Sequence, residues 1–276
     1  MKDINIYAFA DEAAKSFDEQ IIALKRNNLK GLEARKIDGE KITTITLEKA
    51  KIMKQKLDDA GLVTFSIASP IAKIDIRNDF KEHLETFKHT LEVGSILDCH
   101  QMRIFSFRIK NDNDYVDYRN EIIERLSILC ETAKPYGMEL CHENEKGIYG
   151  DIAVRYLDIL KEVPYLKGIF DPANFVQCGQ DTLEAWDMLS SYIKYMHIKD
   201  AFENGVIVPA GKGIGNVKAI CEKYIALGGK DFSIEPHLAI FDGLKDLEGD
   251  EFTSKVKYAN ATEAFDVACS SFKALF

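Results

Sequence analysis

The chain has 276 residues, 46% of them apolar and 29% charged, and a formal net charge of −9. That balance describes a soluble globular protein with enough apolar material for a full core, and its acidity disfavours a broad nucleic-acid footprint. No stretch approaches the roughly 18 apolar residues of a spanning helix, acidic residues interrupt the N-terminus where a signal peptide would be apolar, and six scattered cysteines form no C-x-x-C pair, so the expectation is a cytoplasmic protein with reduced thiols.

In chain order, Ile4–Phe9 reads as a strand and Ser16–Asn28 as an amphipathic helix. Strand Gly31–Arg35 precedes helix Thr46–Ala60, and strand Leu62–Ile67 precedes helix Asp79–Leu97. Strand Met102–Phe107 leads to helix Asp117–Pro135 and the turn at Tyr136–Gly137. Strand Met138–Glu143, helix Asp151–Glu162, strand Leu166–Phe170 and helix Asp181–Ser190 follow. Strand Ile193–Ile198 runs into a glycine-rich loop and helix Val217–Leu227; strand Phe232–Glu235 and a last helix from about Lys255 to Phe272 complete the alternation. Eight strands and eight helices at a mean repeat of about 34 residues predict a (β/α)8 barrel, with an open doubly wound sheet as the competitor. With no Pro/Ser-rich linker, one domain over residues 1–276 is the simpler reading.

In α/β folds chemistry collects at the carboxyl ends of strands. The fifth strand ends in LCHENE and places Glu143, the sixth in GIFDPANF and places Asp171, the seventh is YMHIKD with His197, and the eighth is FSIEPH with Glu235. The separations of 28, 26 and 38 residues each span about one βα unit. Each residue alone has a plain reading: a solvated acid, a core histidine, a turn cap at Asp171-Pro172. Three carboxylates buried at one point cost several kcal/mol unless a cation neutralises them, which makes the joint pattern a predicted metal site. Three oxygen donors and one imidazole suit Mn²⁺, Mg²⁺ or Co²⁺ with open positions better than they suit a closed thiolate zinc site.

The segments HEN around Glu143, FDPANF around Asp171, MHIKD around His197 and IEP around Glu235, with the opening YAFADEA and the later GKGIGN, resemble the xylose isomerase-like TIM barrel superfamily, specifically its sugar phosphate isomerase/epimerase group. The resemblance covers nearly the whole chain. It implies one divalent metal, Mn²⁺ first with Mg²⁺, Co²⁺ or Zn²⁺ as alternatives, held by Glu143, Asp171, His197 and Glu235, and a catalytic pair, Glu143 and Glu235, that moves protons at a carbon beside a carbonyl through an enediolate. It also implies a small sugar-like substrate, and relatives often form homo-oligomers, although no interface signal is visible here. Many relatives carry a histidine three residues after the sixth-strand Asp, where this chain has Asn174; an amide hydrogen-bonds a substrate hydroxyl but exchanges no proton near neutral pH.

Secondary candidates surround this set. Glu33 and Arg35 share one face at the end of the second strand, to contact substrate hydroxyls or to form an interior ion pair. Arg108, at the end of the fourth strand, and Lys199, two after His197, are candidates for a substrate carboxylate or phosphate, or are solvated charges. His237 is placed to reach the mouth, whereas His142 alternates away from Glu143 and reads as packing. Gly211, Gly213 and Gly215 do not fit a dinucleotide fingerprint; they read as a mobile active-site loop or a plain flexible one.

Four functions compete: a metal-dependent isomerase or epimerase of a sugar, sugar phosphate or sugar derivative; a metal-dependent lyase, such as a dehydratase of an inosose or keto acid, sharing the same α-proton abstraction; a DNA-repair endonuclease of the same superfamily; and a metal-free binding protein. The endonuclease needs several more strand-end histidines than this chain supplies, since His83 and His89 fall in a predicted helix and the third strand ends in Ala68–Ser69–Pro70.

Overall fold

The computed structural model describes residues 4–110, 115–239 and 258–276. Eight strands pair in parallel: β1 (Asn5–Ala8), β2 (Gly31–Ala34), β3 (Val63–Ala68), β4 (Gln101–Ile104), β5 (Glu139–Glu143), β6 (Lys167–Phe170), β7 (Ile193–Ile198) and β8 (Asp231–Ile234). Each lies beside its neighbours in sequence, and β8 pairs with β1, so the sheet closes into a barrel. This is the expected (β/α)8 barrel, and the open sheet is excluded.

Helices α1 (Phe17–Arg26), α2 (Leu47–Ala60), α3 (Phe80–Ile96), α4 (Tyr115–Ala133) and α5 (Ala153–Glu162) cover the first five crossovers. A short α6 (Pro172–Gln177) precedes α7 (Thr182–Leu189), and α8 (Val217–Ala226) and α9 (Ala261–Lys273) complete the outer layer. Their starts follow local chemistry. Thr46 accepts from Lys49 N at the head of α2, Asp79 from Lys81 N and Glu82 N at α3, and Asp181 from Leu183 N and Glu184 N at α7. Gly61, at φ 69°, ends α2 in the left-handed region where a Cβ would be strained. The main core lies between helices and barrel, with Leu24, Leu57, Phe87, Leu126, Tyr156 and Phe232 fully enclosed. Five of the six cysteines are buried and all are free thiols. Among the described residues no helix is long and apolar enough to cross a membrane.

Three departures from expectation bear on the site. The fourth strand stops at Ile104, not Phe107. Beyond it Phe105 N, Phe107 N and Arg108 N donate to Ile71 O, Ala72 O and Ile74 O, and Phe107 turns at φ 63°. The segment pairs with the loop after β3 and carries Arg108 to the exposed surface. The sixth crossover holds the additional helix α6, because Asp171 caps it and Pro172 supplies the preset φ of a first helical position. Two short antiparallel ribbons, Lys36–Ile37 with Glu40–Lys41 and Asp200–Ala201 with Ile207–Val208, sit on loops after β2 and β7. The expected last helix begins at Ala261; its first expected turn, 255–257, lies outside the described residues.

Candidate metal centre

Side chains alternate along a strand, and on the late strands one parity fills the barrel. Cys141, Ile169 and Tyr195 pack together with Phe65 as an apolar layer inside it. Two residues further along the same strands come Glu143, Asp171 and His197, and Glu235 follows β8. All four are buried, and one ligand atom from each lies within 4.8 Å of every other. His197 Nδ1 is the hub. It stands 2.9 Å from Glu143 Oε1, 3.8 Å from Glu235 Oε2 and 4.0 Å from Asp171 Oδ2.

The surroundings fix this geometry. Glu33 Oε2 lies 3.0 Å from His197 Nε2, and Glu33 Oε1 accepts from Tyr195 Oη at 2.8 Å. Glu33 therefore holds His197 from the side away from the other three candidate ligands, and Arg35 pairs with Asp11, Glu12 and Glu235. The Asn144 side chain clamps the backbone of Asp171, accepting from Asp171 N and donating to Asp171 O, both at 2.9 Å. Asn174 donates to Asn144 O at 2.8 Å and Glu143 Oε1 at 3.3 Å, while its own Oδ1 is buried without a partner among the described residues. That oxygen is positioned as a free acceptor.

Cations crowd the carboxylates. Lys199 Nζ stands 3.0 Å from both Asp171 Oδ2 and Glu235 Oε2. Arg103 Nη1 lies 2.9 Å from Glu143 Oε2 and 3.6 Å from Glu235 Oε1. Phe9 supports both guanidiniums, with Arg35 and Arg103 4.7 and 5.2 Å from its ring centre. His237 and Glu12 complete the wall, their Nε2 and Oε1 3.3 Å apart.

The charges shift one another. Burial opposes ionisation of Glu143, but His197 and Arg103 outweigh it and hold its carboxyl down to about 2. Burial is likewise overcome at Glu235, chiefly by Lys199 and His237, and its carboxyl lies well below the usual range. Asp171 goes the other way: burial, aided by Glu143 and Glu235, lifts it to about 6 against the pull of Lys199. Burial also works against a charged His197, but Glu33 and Glu143 hold its imidazolium well above the ordinary histidine range. His142, buried with its ring tilted against that of Tyr156, is pushed down by burial to about 3 and is a packing residue, as alternation implies.

Does this set fit a metal ion? Asp171 Oδ2 is buried and makes no aligned hydrogen bond. Around the mouth the carboxylates of Asp11, Glu12, Glu33, Glu143, Asp171 and Glu235 face three permanent cations, Arg35, Arg103 and Lys199. Even with His197 and His237 both charged, the acids are in excess. A buried carboxylate oxygen that a lysine ammonium balances, within an acid-rich, imidazole-containing cluster, is the donor chemistry of a divalent cation site.

Of the other sequence candidates, Lys199, Asn174, Arg35 and His237 all stand at this cluster. Arg108 does not. The inward-facing arginine of the fourth strand is Arg103, because the strand ends four residues before Arg108. Arg103, Glu12 and Asn144 escaped the sequence reading. The acidic pair in YAFADEA and the amide in HEN would have pointed to Glu12 and Asn144, whereas Arg103 carries no local signal because long-range pairing sets the end of β4. The glycine loop is tethered: Gly211 N, Gly213 N and Gly215 N all donate to the Asp200 carboxylate at 2.9–3.0 Å. A Cβ at Gly213 would fall 2.3 Å from Ala201 O, so only glycine fits there.

Comparison with solved structures gives the same architecture throughout. The probable 3-DHS dehydratase AsbF of Bacillus anthracis aligns over 98% of each chain at 17% identity and a TM-score of 0.76. The IOLI protein with a binding zinc atom aligns over 99% of this chain and 98% of its own, at 15% identity and a TM-score of 0.76. The 3-keto-D-glucoside 4-epimerase YcjR of E. coli aligns over 100% and 99%, at 14% identity and a TM-score of 0.70. At these identities the likeness establishes the fold alone. Comparison with functionally curated sequences finds no match. The sequence profile described as xylose isomerase-like TIM barrel matches residues 22–237, from α1 to the segment that carries Glu235 and His237. Given that span and a closed eight-stranded parallel barrel, this chain belongs to the xylose isomerase-like TIM barrel family.

Proposed function

We propose that this protein is a divalent-metal-dependent isomerase or epimerase of a sugar, sugar phosphate or sugar derivative. The observation that carries the reading is the convergence of Glu143, Asp171, His197 and Glu235, from four consecutive strands, on one point. These four would hold the ion. When bound, it supplies positive charge to a substrate carbonyl and its neighbouring hydroxyl and so favours loss of the proton on the carbon between them.

The remaining work belongs to the chain. Glu143 and Glu235 are ionised at neutral pH because of the cations around them, so either can take a proton from carbon. In an epimerisation one takes it and the other returns one to the opposite face; in an isomerisation it returns to the adjacent carbon. Arg103, which touches both, keeps them apart in charge and stabilises negative charge developing between them. Asn174 Oδ1 accepts from a substrate hydroxyl. With a divalent cation held by Asp171 and Glu235, the Lys199 ammonium that now balances both carboxylates would be placed to contact a substrate oxygen.

A dehydratase is the second reading, favoured by the likeness to the 3-DHS dehydratase and by Asn174 standing where many relatives place a titratable histidine. Both readings begin with the same proton abstraction. The test is incubation of Mn²⁺-loaded protein with ketoses, sugar phosphates and inososes in D₂O. Deuterium entering a substrate of unchanged mass class supports the isomerase; loss of water supports the lyase; full exchange in the Glu143→Gln and Glu235→Gln variants removes both carboxylates from proton transfer.

A further inference from the structure

A cavity of about 380 Å³ opens beside the acid cluster, outside the ring of the four candidate ligands. Its floor is apolar, formed by Ala68, Pro70, Ile71 and Ile74. Its walls carry six Lys and Arg side chains, and no carboxylate lines it among the described residues. That is a local reversal of sign in a chain whose net charge is −9. Arg35 and Arg103 form the partition: each lines the cavity and also reaches Glu235. A molecule held at the acid cluster would therefore extend past these two guanidiniums into the basic chamber.

The cations are not equally available. Arg35 is held by Asp11, Glu12 and Glu235, and Lys73 Nζ stands 2.5 Å from Glu145 Oε2. Lys41 and Arg108 are exposed at the rim, and neither side chain has an ion pair with a described residue. Arg103 Nε is buried with no hydrogen-bond partner. His83 accepts from Ala72 N through Nε2 at 2.8 Å, which leaves its proton on Nδ1 as a donor at the chamber wall. Two exposed cations at the rim, with further N–H donors at Arg103 Nε and His83 Nδ1 over an apolar floor, select an anion on a carbon skeleton, although the Nη1 of Arg103 is already paired with Glu143 and Glu235, and the volume suits a small molecule.

We propose that the substrate carries an oxyanion group, a carboxylate or a phosphate ester, which this chamber binds through Lys41, Arg108 and Arg103 while the polyol end occupies the acid cluster. This rests on the isomerase or dehydratase reading above and narrows it to acidic sugars, keto acids and sugar phosphates.

The test compares matched substrates: a neutral ketose, its terminal phosphate ester and the corresponding sugar acid, each with Mn²⁺-loaded protein in D₂O. The expected result is a kcat/KM for exchange at least about 100-fold higher for one anionic form, carried mainly by KM; which form leads identifies the oxyanion. In a Lys41→Ala/Arg108→Ala variant, both changes being at exposed positions, that preference should fall to within about fivefold. Exchange of the neutral ketose as efficient as that of both anions would overturn the inference and leave the catalytic reading standing. A readout independent of turnover is calorimetric titration of the metal-loaded protein with inorganic phosphate and with succinate. Binding weakened at least tenfold in the double variant supports the chamber even if no panel member reacts, which would count against the catalytic reading alone. Binding of both probes unchanged in the variant, or absent at 20 mM (on the order of the weakest useful affinity), refutes it.

Discussion

Glu33 Oε2 meets His197 Nε2 at 3.0 Å, so a carboxylate from the second strand sets the orientation of an imidazole on the seventh. With Nε2 engaged below, Nδ1 faces Glu143, Asp171 and Glu235 above. Glu33 is held in turn by Tyr195 Oη, which also lies 3.1 Å from Ser66 Oγ. The apolar layer of the barrel thus passes into the polar mouth through a chain of hydrogen bonds.

The first prediction follows. Partners behind a ligating histidine typically contribute 10–100-fold in metal affinity. Glu33→Gln, which keeps the shape and loses the charge, should weaken Mn²⁺ binding by roughly that factor. Isothermal titration of the purified variant would show it; an affinity within about twofold of the parent (well below that range) would mean that the imidazole is held by other means.

Lys199 yields a second prediction, because it occupies the gap between Asp171 and Glu235 that a metal would share. Removing one partner of a buried ion pair costs about 3–5 kcal/mol by leaving the other charge uncompensated. In the metal-free protein Lys199→Met should therefore lower Tm by about 10 °C. Saturating Mn²⁺ should recover most of that loss, since the ion neutralises the same two oxygens. Thermal melts of parent and variant, with and without metal, decide it: an equal loss in both states would show that Lys199 has a packing role and does not compete with a cation.

How far the residues alone disclose this arrangement depends on where register is set. The barrel is legible because hydrophobic strands alternate with helices such as Phe80–Ile96 and Thr182–Leu189, capped by Asp79 and Asp181, whose signals are local. The four converging residues are legible because each closes a strand whose apolar run is easily seen. Arg103 is not, since β4 ends at Ile104 only because the following residues pair with the 71–76 loop, a long-range choice that no local pattern encodes. Glu12 sits in a single helical turn after β1, and its approach to His237 joins the two ends of the barrel sequence. The chamber beside the site is hidden for the same reason: Lys41, Lys73 and Arg108 come from three separate loops.

The third prediction concerns pH. Asp171 is raised to about 6, first by burial and then by Glu143 and Glu235, and His197 is held protonated well above its usual range despite burial. Both groups must lose their protons to ligate a metal. Near pH 7 Asp171 is already ionised, so binding should displace about one proton, that of His197; below pH 6 it should displace close to two. Apparent affinity then rises with pH, about tenfold per unit near neutrality and more steeply in acid. Titrations in buffers of different ionisation enthalpy count the protons directly, and an affinity that is flat between pH 5 and 7.5 (about the range in which Asp171 titrates while His197 stays protonated) would contradict the assigned charges.

A last prediction turns on Asp200, which holds the glycine loop beside α6. Its carboxylate accepts from Ala201 N, Gly211 N, Gly213 N and Gly215 N, a ring of backbone donors around one buried anion. Burial lifts its carboxyl above the usual value, but those four donors pull it back and favour the charged form. Hydrogen bonds to a charged group contribute about 1.5–3 kcal/mol each, and they are not additive around one acceptor. Asp200→Ala should cost about 3 kcal/mol in global stability and leave several buried N–H groups unpaired. The sharper readout is local: amide exchange at Gly211, Gly213 and Gly215 should accelerate on the order of 100-fold, while amides in β5 and β6 change no more than global stability requires. Asp200→Asn keeps one acceptor oxygen and should fall between the two. If the loop amides of Asp200→Ala exchanged as slowly as those of the parent, the carboxylate would not be the tether, and packing of Gly215 against Pro172 would have to hold the loop instead.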